Sequence, residues 1–305
     1  MSAGKILVVR GGAIGDFILT IPVFSALRQQ FPDTPIEVLG YPHIAALAKA
    51  AGLVNEVRSI DARALAGFFA RSGVLDQELQ NYFSDFAIVI SYLYDPDLFF
   101  QTNVSRCSKA QFIAGPHRPD ERLPIHATEV FLKPLERLAI FAPDPAPKLF
   151  ERRTETRKNR RCLAVHPGSG SPNKNWPEEK WAETLQQLVA VMDLDLLIVG
   201  GEAEEGKLDR IAKGIPSNRI TFAEKLPLVE LAEALSYCDG FVGHDSGITH
   251  LGAAVGLPVL ALWAETNPDV WRPLGNRVTM LRSDKGLRQL SVPDVLERIR
   301  AVLEN

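Results

Sequence analysis

The sequence predicts an α/β protein made of two similar halves, each with a parallel β-sheet covered by helices. Short apolar strands alternate with amphipathic helices along the 305 residues, a rhythm that gives right-handed βαβ units. In each half, a buried-strand pattern runs through a glycine-containing turn into a helix, first at residues 5–16 and again at 240–251. Because ligands of open α/β sheets lie outside the carboxyl ends of the strands, we expect a site in a cleft between the halves.

The composition is that of a globular protein. Its hydrophobic fraction of 46% and charged fraction of 23% suit packed cores, and a formal net charge of −3 argues against nucleic-acid binding. No apolar run approaches the roughly 18 residues that span a bilayer, and the first residues lead directly into a strand. Cys107, Cys162 and Cys238 form no CxxC pair, which is typical of a reducing compartment without structural zinc. We therefore expect a cytoplasmic protein.

In the first half, hydrophobic periodicity predicts five strands and four helices. The strands cover residues 5–10, 36–39, 57–60, 86–90 and 111–114, and the helices cover about 17–30, 44–51, 76–82 and 127–141. Pro22 falls about one turn into the first helix, so this helix is expected to kink or begin late.

The second half repeats the rhythm after a proline-rich connector at 142–147. Its predicted strands cover 162–166, 194–199, 219–222, 240–243 and 259–263, and its helices cover 178–191, 203–213, 228–237, 247–255 and 292–303. We place the domain boundary between residues 150 and 151, giving domains of 1–150 and 151–305. The last helix, about 291–305, could also pack back on the N-terminal domain. The segment 151–161 carries six Lys and Arg residues; it is either a solvated linker or a contact for an anionic acceptor or membrane surface.

The strongest local motif is HDSGITHLGAA at residues 244–254. Ser246 or Asp245 at a helix start satisfies free backbone N–H groups, and the remaining ones can face a phosphate. Gly247 lets a ligand approach the backbone, and His250 shares a helix face with Ser246. The alternative is an ordinary strand-to-helix junction, with Asp245 as the cap and His250 hydrogen-bonded in the core.

The corresponding N-terminal turn, GGAIGD at residues 11–16, is neither a Walker A loop nor a regular dinucleotide fingerprint. Gly12 and Gly15 make it a compact loop for the acceptor side of the cleft. Asp16 lies in the first helical turn, where a carboxylate is either a partner of the helix dipole or a general base for an acceptor hydroxyl.

Three further residues could contact a nucleotide. Ser169 and Lys174 lie in a small-residue loop suited to phosphate. Glu202, just past a strand end, suits a ribose diol, and its alternative role is a helix cap. The sequence Asp95-Pro96-Asp97 has the form of a metal-binding DxD, but it is interpreted as a turn or helix start. No His, Cys and carboxylate cluster has metal-ligand spacing.

Four segments together resemble glycosyltransferase family 9, the ADP-heptose:lipopolysaccharide heptosyltransferases, in order and spacing. They are ILVVRGGAIGDFILTIPVFSALRQQFP at 6–32, HPGSGSPNKNWPEEKWAE at 166–183, VGGEAEE at 199–205 and HDSGITHLGAAVGLPVLALW at 244–263. The resemblance implies the GT-B fold, with two Rossmann-like domains facing a cleft. It covers most of the chain and is weakest at 62–122. The signature hydroxyl is Ser246 rather than Thr, and the HPGSGSPNKNWP loop also departs from the family's Thr-Thr version, which leaves the donor sugar open.

The resemblance also implies an activity and roles for residues. The activity is inverting, metal-independent transfer of a sugar, with ADP-heptose as the donor and a glycan such as the lipopolysaccharide core as the acceptor, at the inner face of the cytoplasmic membrane. Asp16 matches the catalytic base. The donor-binding positions are Ser169, Lys174, Glu202, Asp245, Ser246, Gly247 and His250. No metal or cofactor is expected. Two alternatives stay open: a sugar-nucleotide epimerase on the same fold, and a sugar-nucleotide-binding protein without turnover.

Overall fold

A computed structural model describes residues 4–150, 160–171, 174–201 and 204–304. The chain divides into two compact units, Met1–Pro145 and Ala146–Asn305. Residues 146–150 belong to the second unit because the backbone N–H of Leu149 donates to the carbonyl of Ala254 at 3.0 Å and the Leu149 side chain is buried. The basic segment is outside the described residues except for Arg160 and Arg161.

The first unit is built on a parallel sheet with the order β3-β2-β1-β4-β5. Its strands are β1 (Lys5–Arg10), β2 (Ile36–Gly40), β3 (Glu56–Ser59), β4 (Phe86–Ser91) and β5 (Gln111–Ala114). Its helices are α1 (Ile14–Ile18), α2 (Ile21–Gln30), α3 (Pro42–Ala50), α4 (Gln77–Ser84), α5 (Phe99–Ser105) and α6 (Ala127–Leu132), with 3-10 segments at Arg63–Phe69 and Lys133–Leu138. The predicted strands of this half are all present.

Proline decides two departures from the predicted helices. Pro22 sits in the first turn of α2, where a missing N–H is tolerated, so the predicted first helix is divided into α1 and α2. This confirms the expectation of a kink or late start. The helix predicted over 127–141 was too long, because α6 ends at Leu132 and Pro134 begins a 3-10 turn. Helix α5 was not predicted at all.

The second unit has a parallel sheet with the order β11-β10-β9-β6-β7-β8. Its strands are β6 (Arg161–His166), β7 (Leu194–Gly200), β8 (Ile220–Glu224), β9 (Gly240–His244), β10 (Val259–Trp263) and β11 (Val278–Arg282). Its helices are α7 (Glu178–Val191), α8 (Leu208–Ile211), α9 (Leu228–Ser236), α10 (Gly247–Ala254), α11 (Pro268–Trp271) and α12 (Val292–Glu304). Strand β11 was missed, and α8 is shorter than the helix predicted over 203–213.

The last helix, α12, packs into the core of the second unit. Its apolar face, including Val295 and Ile299, joins Leu188 of α7 and Leu260 of β10 in one buried cluster. Burying such a stripe is what an amphipathic helix requires. Trp176 and Trp181 lie in the same cluster and are almost fully buried.

Each sheet changes its strand order at one point. In the first unit β1 lies between β2 and β4, and in the second β6 lies between β7 and β9. The order reverses between β1 and β4 in the first sheet and between β6 and β9 in the second. At this switch point the loops that follow the two strands diverge to opposite sides and leave a crevice at the carboxyl edge of the sheet. None of the helices in the described part of the chain is long and apolar enough to cross a membrane.

Candidate functional site

In the second unit, the crevice lies between the loops that follow β6 and β9. The two strands are parallel neighbours, with His166 opposite Gly243 at their carboxyl ends. The first loop, residues 167–177, is called the β6–α7 loop here. The second loop leads from His244 into α10 within three residues. The sequence-predicted donor residues that the structure describes therefore fall at the switch point of this sheet.

Ser246 is the N-cap of α10. It has extended backbone angles, and its side chain accepts a hydrogen bond from the backbone N–H of Thr249 at 3.3 Å. Its Oγ also lies 3.2 Å from Nδ1 of His166. The cap is thus Ser246 and not Asp245, and Gly247 is the first helical residue. The first turn of an eight-residue helix presents unsatisfied N–H groups with a partial positive charge, which suits an anion.

Asp245 is instead the partner of a cation. Its Oδ2 accepts from Nζ of Lys174 at 2.5 Å and from Oγ1 of Thr266 at 2.5 Å. The Asp245 side chain is 14% exposed and that of Lys174 is 35% exposed, so the lysine side chain keeps contact with solvent. The loop after β10 is fixed in turn, because Nε1 of Trp263 donates to the Thr266 carbonyl at 2.6 Å. The structure therefore brings together Lys174 and Asp245, two of the predicted donor-binding residues. It also shows a contact with Thr266, which the sequence did not predict.

The β6–α7 loop is shaped by its own polar groups. The Ser169 hydroxyl lies 2.7 Å from the Ser171 carbonyl and 2.7 Å from Oδ1 of Asn175, so in this state it stabilises the loop. Gly168 passes so close to Glu204 that an added Cβ would fall 2.0 Å from a carboxylate oxygen. A side chain at position 168 would therefore require the Glu204 side chain to move. Glu202, the predicted ribose ligand, lies outside the described residues.

His244 connects the two ends of the β6–α7 loop. Its Nε2 accepts the backbone N–H of Trp176 at 2.9 Å, and its Nδ1 lies 3.3 Å from the carbonyl oxygen of Gly168. Since Nε2 is the acceptor, the ring proton resides on Nδ1 and is donated to Gly168. Burial lowers the His244 pKa to about 3, with a smaller contribution from His166, so the ring is neutral. Its edge contacts the Trp181 ring, with centroids 5.5 Å apart.

His244 is the first residue of the motif at 244–254, but the sequence pattern assigned it no role. Its place as the last residue of the buried strand β9 could have indicated a role at the carboxyl edge of the sheet. His166 holds the equivalent position on β6, and burial lowers its pKa to about 4. His250 lies on α10 and is 6% exposed, so its proposed contact with a donor stays a prediction.

In the first unit, the crevice contains the turn between β1 and α1. Asp16 is the third residue of α1, and its Oδ2 accepts from the backbone N–H of Ala13 at 3.1 Å. The side chain remains 32% exposed. Gly12 has a φ of +104°, and a Cβ there would lie 3.0 Å from Oδ2 of Asp16. Glycine is therefore needed both for the turn and for space beside the carboxylate. Gly15 is the residue of α1 just before Asp16.

The buried Arg10 side chain stabilises this turn through hydrogen bonds to backbone carbonyls. It is 2% exposed at the end of β1, with its guanidinium 4.4 Å from the centroid of the Phe131 ring. Its Nη1 donates to the carbonyl of His117 at 2.9 Å and its Nη2 to the carbonyl of Asp16 at 3.2 Å. Burial lowers the Arg10 pKa, and the nearby Asp16 carboxylate opposes that shift. One buried cation thus fixes the backbone of Asp16 to the loop after β5.

The DxD-like sequence is a helix start, as interpreted from the sequence. Both carboxylate oxygens of Asp95 accept backbone N–H groups of α5, from Phe100 at 3.2 Å and Gln101 at 3.0 Å. Within the described ranges, no three His, Cys, Asp or Glu side chains are grouped so that they could hold a metal ion.

The family model described as glycosyltransferase family 9 (heptosyltransferase) matches residues 137–299, which is more than half of the chain. The chain belongs to glycosyltransferase family 9. It is therefore a glycosyltransferase, and the family 9 region spans both loops of the second unit that approach the switch point.

Some relatives of this family 9 chain match it along most of its length, and others match less than half of it. Lipopolysaccharide heptosyltransferase 3 of Escherichia coli is 25% identical over 285 residues, covering 85% of this chain and 82% of the relative. A family 9 glycosyltransferase structure from Veillonella parvula superimposes with a TM-score of 0.79 at 20% identity, covering 99% and 97% of the two chains. The E. coli heptosyltransferase WaaC with ADP gives 0.75 at 19% identity, covering 98% and 99%. The fold is accordingly that of the GT-B glycosyltransferases.

Proposed function

We propose that this family 9 enzyme transfers heptose from ADP-heptose to a glycan acceptor of the lipopolysaccharide core type, with inversion and without a metal ion. The observation that carries the donor half is the Lys174–Asp245 pair at the start of α10. It places a cation beside a helix N-terminus at the switch point of the sheet, where a diphosphate is expected to bind. The names of relatives, heptosyltransferases acting on lipopolysaccharide and one solved with ADP, support the donor and the acceptor class.

Lys174 and the N-terminus of α10 would replace a metal at the leaving group. As the bond between the sugar and the diphosphate breaks, negative charge develops on the departing phosphate oxygen. Nζ of Lys174 would move from Asp245 to a phosphate oxygen, a charge-assisted contact of the same kind. Asp245, still fixed by Thr266, would then be available to accept hydroxyl groups of the transferred sugar. Ser169, Ser246, Gly247 and His250 are proposed to complete this donor site, together with Glu202 at the ribose.

Asp16 is proposed as the general base. Its carboxylate would take the proton of an acceptor hydroxyl while that oxygen attacks the anomeric carbon from the face opposite the diphosphate, which inverts the configuration. The turn around Gly12 and the buried Arg10 fix the position of this carboxylate. On this proposal the first unit binds the acceptor and the second binds the donor. The enzyme would act at the inner face of the cytoplasmic membrane, where a glycolipid acceptor is presented.

The test is transfer itself. Purified protein is incubated with ADP-heptose and heptose-free lipopolysaccharide, with and without EDTA, while ADP release and the mass of the glycolipid are followed. We expect one added heptose per ADP released, no effect of EDTA, and an anomeric configuration by NMR opposite to that of the donor. Conversion of the donor to an isomer without acceptor would indicate an epimerase. ADP binding without either product would indicate a protein without turnover, and loss of transfer in EDTA would contradict the metal-free mechanism.

A further inference from the structure

A second feature lies at the carboxyl edge of the first sheet, beside Asp16. It is a cavity of about 210 Å³ between the ends of β4 and β5, comparable in size to one monosaccharide ring. The residues that define it are Tyr94, Pro96, Leu98, Phe112, Pro116 and His117, and it is called the β4–β5 cleft here. Because β4 is the direct neighbour of β1, the cleft lies at the same carboxyl edge of the sheet as the turn that carries Asp16, on the other side of the switch point.

The cleft offers an aromatic surface to solvent. Tyr94 is 72% exposed and Leu98 is 52% exposed, so two large side chains that line the same cleft are open to solvent. The Tyr94 ring is held by His117, whose ring meets it edge-on with centroids 4.7 Å apart. A rigid aromatic face with a hydroxyl at one end matches a sugar ring, which has an apolar C–H face and a polar rim.

The charges around the cleft select against an anion. No Lys or Arg is among the described residues that line it, and its one carboxylate, Asp95, accepts two N–H groups of α5. The arginines of the adjoining loop already have acidic partners. Arg118 pairs with Glu121 at 2.6 Å, and Arg122 pairs with Asp120 at 2.6 Å. A phosphate or carboxylate group placed in the cleft would therefore lose hydration without gaining a Lys or Arg from the residues that line it.

Arg10 connects the cleft to the proposed base. The same guanidinium donates to the backbone carbonyl of His117, a wall of the cleft, and to that of Asp16. One buried side chain thus joins the backbone of the cleft wall to the backbone of Asp16. A neighbouring hydroxyl of an acceptor in the cleft could then reach the Asp16 carboxylate.

We propose that the β4–β5 cleft binds an uncharged sugar ring of the acceptor, with Tyr94 as its stacking surface. This inference rests on the proposed function and adds to it the chemical class of the acceptor sugar. A sugar bearing phosphate or carboxylate is excluded from the cleft. Tyr94 acts on acceptor binding and has no role in binding the donor.

Saturation-transfer NMR tests the inference with methyl glycosides of glucose, galactose and heptose, and with glucose 6-phosphate as the anionic probe. We expect contacts from the ring C–H protons of at least one uncharged glycoside and none from the phosphate. Tyr94→Ala should lower the affinity for that glycoside by up to about tenfold, which corresponds to the loss of one aromatic contact of about 1.4 kcal/mol. Tyr94→Phe should retain it. Phe141→Ala is the matched control, because Phe141 is another exposed ring of the first unit, at 68%, outside the cleft.

ADP affinity measured on the same samples separates the two proposals. If ADP binds and transfer occurs but the uncharged glycosides bind Tyr94→Ala as well as wild type, the cleft assignment is wrong and the proposed function stands. Preference for glucose 6-phosphate, or no glycoside contact in the wild type, also overturns it. If ADP fails to bind while the Tyr94-dependent contact is seen, the donor assignment fails and the cleft remains a sugar site.

Discussion

Lys174 and Asp245 form an ion pair of 2.5 Å across a sequence separation of 71 residues. The pair joins the loops of two neighbouring strands, so each charge is compensated before any ligand arrives. A diphosphate would bind the Lys174 ammonium in place of Asp245. The Asp245 carboxylate would then keep its hydrogen bond from the Thr266 hydroxyl. On the proposed function, donor binding would exchange one anion for another at the same cation.

Removing the ammonium should weaken nucleotide binding. A charge-assisted hydrogen bond contributes about 1.5–3 kcal/mol, so Lys174→Ala should lower the affinity for ADP by about 10–100-fold in calorimetry. Lys49→Ala is the matched control, since Lys49 forms an exposed ion pair with Glu56 at 2.8 Å in the first unit. An unchanged ADP affinity in Lys174→Ala would remove Lys174 from the donor site.

Replacing the proposed base should separate binding from chemistry. Asp16→Asn keeps an acceptor for the Ala13 N–H but cannot take a proton, so transfer should fall by about 10²–10⁴-fold while ADP affinity is unchanged. Initial rates of ADP release, with and without acceptor, give the measurement. Asp33→Asn, an exposed carboxamide in the same unit, should behave as wild type. Near-normal transfer by Asp16→Asn would show that another group accepts the proton.

The His244 ring should control donor affinity through the shape of the β6–α7 loop. Gln places a polar atom near Nε2 and can keep the Trp176 contact, whereas Asn places one near Nδ1 and can keep the Gly168 contact. Phe fills the space and keeps neither. We expect a KM for the donor that rises from wild type to the two amides and is highest in His244→Phe, with kcat changed less.

His126→Phe controls for a general loss of stability. His126 is also a buried histidine with local hydrogen bonds, at the N-cap of α6 in the first unit. The His126→Phe substitution should lower the unfolding midpoint without changing the KM for the donor. If His244→Phe and His126→Phe alter KM equally, His244 has only a structural role.

Acid should destabilise the second unit through its two buried histidines. Their folded-state pKa values, about 4 for His166 and about 3 for His244, lie below the ordinary value of 6.5. Below pH 6.5 the unfolded chain therefore binds protons that the folded chain does not. The free energy of unfolding should fall by about 1.4 kcal/mol per pH unit for each histidine as the pH drops from about 6.5 towards 4, and neither should contribute above about pH 7.5.

Tryptophan fluorescence isolates this effect. All 4 tryptophans of the sequence lie in the second unit, at positions 176, 181, 263 and 271, so urea unfolding followed by fluorescence reports on that unit. His244→Gln removes one of the two titrating groups and should reduce the slope by about half. A slope equal to that of the wild type would mean that His244 titrates normally in the folded protein.

Local signals predicted the junctions but not the contacts between them. The cap at Ser246 and the late start of α2 at Pro22 follow from side-chain chemistry within one turn, and both are present. The Lys174–Asp245 pair and the Gly168–His244 hydrogen bond depend on β9 pairing with β6, which no local pattern specifies. Cys162 and Cys238 likewise look unrelated in sequence, yet their sulfur atoms lie 3.5 Å apart.

The elements that were missed have weak periodicity. Helix α5 begins after Leu98, which has a left-handed φ of +57°, and its seven residues include Gln101, Thr102 and Asn103, so no apolar stripe announces it. Strand β11 is an edge strand whose residues are of intermediate burial or exposed. Without the hydrophobic alternation of a half-buried strand, its sequence is not distinguished from a loop.

The pairing of β6 with β9 has a consequence for how the enzyme acquires its activity. His244 and Gly168 are separated by 76 residues and Ser246 and His166 by 80, and β7 and β8 occupy the interval between them. Contacts of such long range form late, because the entropy of closing the intervening chain must be overcome first. During refolding, helical structure should return before affinity for ADP does. The appearance of nucleotide binding would therefore report when β9 joins the sheet. A nascent chain would acquire nucleotide binding only after α10 has been synthesised.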